Sequence, residues 1–182
     1  VGAAGYTVQE GTMFYGYYTG VALPLVSVCT IFSSALATNI IPIIAGDRMV
    51  NNLCQVRTKA QWSCAFAVAL GLPFCMILYW GGTRIAQTIY NAGEAGGIIK
   101  IMSLSVIGLS LQQITSGILQ GMRQITILSR NMVVAACIKI CLSYICVGNP
   151  NIGIEGAAWA TNADYGIGAI LNIYCIFVLT KI

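Results

Sequence analysis

Five stretches of this chain run for about twenty residues or more with almost no charge. A helix needs about 20 apolar residues to cross the hydrocarbon of a bilayer, so each stretch is long enough to span one. The stretches are 15–45, 60–80, 98–121, 125–147 and 156–179. The first exceeds the need and contains Pro24 and Pro42; the second contains Pro73. Proline inside a span removes a backbone donor and is expected to kink it. Residues 1–14 read as a loop of glycine and small side chains, and Arg84–Tyr90 as a short interfacial helix.

Composition leaves little room for another class. Charged residues are 8% of the 182, and mean hydropathy is +0.82. A soluble domain carries about 25% charged residues to cover its surface in water. The expected fold is therefore all-α: a polytopic transmembrane bundle of about five spans in a single region, 1–182. The chain opens on Val1 with no signal-peptide pattern, and it reads as a piece of a longer protein.

The loops set an orientation. Counted on alternate sides, Arg48, Arg57, Lys59, Arg123, Arg130 and Lys181 fall on one side, Arg84 and Lys100 on the other, and Lys139 within a span. Six against two is a positive-inside bias that puts 46–59, 122–130 and the C-terminus in the cytoplasm. Tyr15, Tyr17, Tyr18, Tyr79 and Trp80 then sit at the outer interface and Trp62 at the inner one, as an aromatic belt requires.

Several chemistries are missing from the sequence. There is no histidine, no Walker A motif, no Ser/His/Asp set and no spacing for a metal site, so neither an enzyme, a metal nor a cofactor is expected. The net charge of +4 is spread along the chain and gives no stripe for nucleic acid. The eight cysteines contain no CxxC pair and read as small hydrophobes.

Polar residues in a span are costly and turn inward or toward a watery cavity. Ser27, Thr30, Ser34 and Thr38 recur at helical spacing, with Asn39 beside them. Ser105, Gln112, Ser116 and Gln120 share a face, with Gln113 adjacent. Asn131, Ala135, Lys139 and Ser143 step by four, and Ala157, Thr161, Asp164, Gly168 and Asn172 by three and four. Ordinary helix packing accounts for small and hydroxylated positions. Lys139 and Asp164 lie at similar depth, roughly 12–14 Å below the outer surface at 1.5 Å rise per residue. If their faces match, they pair across neighbouring antiparallel helices; otherwise each is a candidate for a cavity wall. The substrate-cavity candidates are Lys139, Gln112, Gln113, Asn131, Asn162, Asp164 and Asn39.

The run SGILQGMRQITILSRNMVVAACIKICLSYICVGNPNIGIEGAAWAT resembles the C-terminal lobe of polysaccharide-biosynthesis exporters, and more narrowly the stage V sporulation protein B group. The run YGYYTGVALPLVSVCTIFSSALATNIIPIIA is similar to the eighth helix of those proteins, and Pro73, Leu111–Gln113, Leu119–Gly121 and Gly153–Ala158 follow in the same order. The group belongs to the multidrug/oligosaccharidyl-lipid/polysaccharide (MOP, MATE-like) flippase superfamily, with two six-helix lobes facing a central cavity. The resemblance implies that this chain is helices eight to twelve, most of the second lobe. It further implies a cell-membrane transporter that exports or flips lipid-linked polysaccharide or cell-wall precursors by alternating access. Its partners would be the bilayer, a lipid-linked saccharide and the N-terminal lobe. Lys139 matches a commonly basic position. The sequence departs from the group at Met122–Gln124, which lacks the usual Gly-Lys/Arg and nearby proline, and at Asp164, where the group is uncharged. The competing readings are a multidrug or cation antiporter of the superfamily, and a non-transporting scaffold for cell-wall or spore-envelope synthesis.

Overall fold

The structure, a computed structural model, describes residues 7–148 and 153–180. All regular elements among them are helical. They are α1 (Val8–Gly16), a π-helical turn (Tyr17–Ala22), α2 (Leu23–Cys29), α3 (Ile31–Met49), α4 (Leu53–Tyr90), a 3-10 turn (Gly93–Ala95), α5 (Gly96–Met102), α6 (Ser105–Gly121), α7 (Ile125–Val147) and α8 (Glu155–Leu179). α4, α7 and α8 are each long and apolar enough to cross a membrane. The count rises to five if the bent pairs 9–49 and 93–121 are each one span.

Two expectations are corrected. Residues 8–14 are helical, because Thr7 and Glu10 form a capping box: the Thr7 hydroxyl accepts from the Glu10 N–H at 3.3 Å, and the Glu10 carboxylate accepts from the Thr7 N–H at 2.9 Å. Residues 1–6 lie outside the described part. Arg84–Tyr90 is no separate helix but the last turns of α4, which passes Gly81 and Gly82 without a break. A Cβ at Gly82 would press on Ile99 of α5, so glycine here admits a neighbour rather than ending the helix. The stop comes at Asn91, in the left-handed region at φ 51°.

The sharp bends also fall away from the prolines. The first span turns by 50° at Thr30 and the third by 46° at Ser103–Leu104. Hydroxyls compete for carbonyls at both points: Thr30 Oγ1 donates to the Ser27 carbonyl at 3.0 Å, and Ser103 Oγ to that of Lys100 at 2.7 Å. Pro24 follows the π turn, whose wider backbone leaves room for the ring, while α4 runs on through Pro73.

α6 is the hub, packed by α3, α4 and α8, with α7 laid against α8. Small residues set these approaches. Gly117 and Gly121 of α6 meet backbone carbonyls of Ala37 and Ile41 on α3; Gly71 of α4 meets Ile107; Gly108 meets Tyr165 and Gly168 meets Gln112. One apolar cluster gathers Tyr18, Val26, Leu78, Ile99 and Met102 at one end of the bundle. A second gathers Ile44, Val56, Ile118, Leu128 and Ile176 at the other. The outer surface carries exposed Phe66, Ile77, Val133, Ile140 and Ile170, an arrangement suited to lipid and unsuited to water.

Candidate substrate-facing site

The helical register of α6 divides its surface into quadrants. Gly117 and Gly121 face α3, Ile107 faces α4, and Gly108, Gln112 and Thr115 face α8. The remaining quadrant holds Leu109, Gln113 and Gln120, half-buried or exposed, with Ser116 at its border with α8. On α3, Ala37 turns to α6, whereas Ser34 and Thr38 are exposed on the side away from α4. Their hydroxyls bond within their own helix, Ser34 to the Ile31 carbonyl at 2.7 Å and Thr38 to that of Ser34 at 3.0 Å. A polar strip thus crosses a largely apolar bundle.

Lys139 and Asp164 meet. Lys139 Nζ on α7 donates to Asp164 Oδ2 on α8 at 3.2 Å, with their side chains 34% and 15% exposed. The ammonium also lies 5.7 Å from the centroid of the Tyr165 ring. The pair satisfies two ions that the membrane would otherwise exclude, yet the lysine keeps enough exposure to touch a further group. One turn along α8, the Thr161 hydroxyl bonds to the Tyr18 hydroxyl at 2.6 Å and ties the first span to the last.

The other candidates differ in what they touch. Asn131 and Asn162 are committed to helix contacts. Asn131 Nδ2 donates to Asn172 Oδ1 at 3.0 Å, and Asn172 Nδ2 reaches the hydroxyls of Thr115 and Ser116 at 3.3 Å each, joining α7, α8 and α6. Asn162 Nδ2 donates to the Ile101 carbonyl at 2.9 Å, and the Ser105 hydroxyl donates to Asn162 Oδ1. Asn162 therefore clamps the bend between α5 and α6. Gln112 is buried against Gly168, while Gln113 turns toward the open quadrant, its Oε1 buried without a hydrogen-bond partner among the described residues. Asn39 is set apart: it is exposed on α3 and lines a shallow groove beside Lys59 and Trp62 of α4. No group of three His, Cys, Asp or Glu able to hold a metal occurs among the described residues.

Two curated proteins of Bacillus subtilis (strain 168) align with most of this chain. The chain is similar to stage V sporulation protein B. The identity is 24% over 157 residues, covering 86% of this chain and 30% of that protein. An uncharacterized membrane protein, YabM, is 25% identical over 172 residues, covering 94% of this chain and 32% of its own length. The chain thus spans about a third of the length of the curated relatives it matches. No protein-family model matches the chain, and no solved structure does. The resemblance to the stage V sporulation protein B group thus rests on alignments over most of the chain. Together with the apolar helices it makes this a membrane-embedded protein.

Tyr18, Tyr165 and Asn172 belong to the polar system although the sequence reading did not select them as candidates. Asn172 stood on the α8 stripe, and Tyr165 follows Asp164 directly. Tyr18 carried no such signal, because its partner Thr161 is 143 residues away.

Proposed function

We propose that this chain forms one wall of the central cavity of a membrane transporter that flips or exports a lipid-linked saccharide by alternating access. The observation that carries the reading is the polar strip of Ser34, Thr38, Gln113 and Gln120, with the Lys139–Asp164 pair on α7 and α8, on a bundle whose outer surface is largely apolar. A lipid tail stays in the bilayer while its headgroup needs polar contacts and charge. Gln120 offers an exposed amide to a sugar hydroxyl, and Lys139 is exposed enough to reach a phosphate oxygen. The similarity to stage V sporulation protein B supports this reading. The basic loops support a cytoplasmic C-terminus, and the opposite wall would come from an N-terminal lobe.

The test is function per folded molecule in a strain that depends on the protein. Lys139→Ala is expected to abolish complementation at normal membrane levels, and Lys139→Arg to keep part of it, because charge persists while shape changes. Full activity of well-expressed Lys139→Ala would remove lysine from the substrate path. Rescue of level and function by Lys139→Ala with Asp164→Ala would make the pair purely structural. A second reading, a cation antiporter, is favoured by the intramembrane acid Asp164. Transport by the Asp164→Asn variant that has lost its dependence on a proton or sodium gradient would select it.

A further inference from the structure

A second feature lies away from the polar strip and is independent of the transport reading. A pocket of about 200 Å³ opens between α4 and α8. Its apolar walls include Cys64 on α4 and Ile173, Ile176 and Phe177 on α8, and its polar rim is Arg57 and Gln61. The rim lies at the end of the bundle that also carries Arg48, Lys59, Arg123 and Arg130. The contacts fix this: Gly121 of α6 meets Ile41 and Ile44 of α3, and Asn131 of α7 meets Cys175 of α8. From Arg57 the pocket follows α4 inward to Cys64, about 10 Å at helical rise.

The walls and the rim ask for different things. A void lined by apolar side chains offers water too few partners to hold it. In a bilayer such a void, open to the surface, is filled by hydrocarbon. Arg57 adds a charge at headgroup level. Among the described residues it has no carboxylate within ion-pair distance, whereas Lys59 is held by Asp47 at 2.6 Å and Lys139 by Asp164. Its guanidinium carbon instead stands 5.3 Å from the centroid of the Phe177 ring, which braces it at the mouth. A braced guanidinium with no carboxylate partner among the described residues presents a donor fork that fits phosphate oxygens.

We propose that this pocket is a binding site for one anionic glycerophospholipid, its phosphate on Arg57 and one acyl chain between α4 and α8. Native mass spectrometry of the protein in mild detergent tests this, with phosphatidylglycerol and phosphatidylcholine of identical chains as probes. One phosphatidylglycerol per protein is expected, preferred over phosphatidylcholine by about fivefold, the effect of one basic residue near an anionic surface. Arg57→Gln should reduce the preference to parity, and Arg84→Gln, at the other end, should keep it. Ile173→Trp, which fills the pocket, should lose both lipids; Cys64→Phe is the second filler should the first reduce folded yield. An unchanged preference in Arg57→Gln, or unchanged retention in a folded pocket-filled variant, would overturn the site. Displacement of the phospholipid by an equal amount of polyprenyl phosphate would overturn the choice of occupant.

Discussion

Gly117 and Gly46 are both helical glycines, and they predict opposite outcomes. A Cβ on Gly117 would collide with the Ala37 carbonyl, a backbone atom that yields only if α3 and α6 move apart. Nothing lies within 4 Å of the equivalent point on Gly46. Gly117→Ala is expected to destabilise the bundle by about 1–3 kcal/mol, the usual effect of overpacking. Gly46→Ala should match or slightly exceed the parent, because alanine is the better helix former. Thermal unfolding in detergent, followed by size-exclusion chromatography, compares them. Equal stability of the two variants would contradict the close α3–α6 packing. At this scale the sequence was partly legible. The spacing of Lys139 and Asp164 anticipated equal depth, and the structure brings them together at 3.2 Å. The asparagines were not legible. A membrane asparagine that clamps a bend, as Asn162 does, carries the same sequence signal as one facing a cavity. Only knowledge of the neighbouring helix separates them.

Among the elements, α4 is longer than a membrane requires. Its 38 residues rise about 57 Å, against about 30 Å of hydrocarbon. Trp62 and Trp80 are both strongly exposed and stand about 27 Å apart along the axis, so they mark where the helix enters and leaves the apolar layer. The turns after Gly81 then project into water. In a background without the native cysteines, a cysteine at Gln87 should react with a polar maleimide in open membranes, and one at Met76 should not. Protection at Gln87 would bury the end of α4 and move the membrane boundary. Apolar run length made the positions of the helices readable, since each run reaches the length of a crossing. It did not reveal where they bend. The bends coincide with the hydroxyls of Thr30 and Ser103 bonding back to carbonyls three residues before them, a bond that Ser34 also makes without a bend.

For the whole molecule, Arg48, Arg57, Lys59, Arg123 and Arg130 gather at one end and Arg84 and Lys100 at the other, the division that sequence alternation anticipated. Cysteines at Asn51 and Gln124 should therefore resist an impermeant thiol reagent in intact cells, while one at Asn91 should react. Labelling at Asn51 with protection at Asn91 would invert the protein. The ion pair between α7 and α8 bears on how such a chain is made. Centred in a lone helix, a lysine or an aspartate opposes entry into lipid by about 2.5–3.5 kcal/mol. α7 carries one and α8 the other, and the two helices are consecutive. Neither charge has its partner until both helices have been synthesised. The translocon would then release them to lipid together, as a hairpin, with α7 waiting at the channel for Asp164 to emerge from the ribosome.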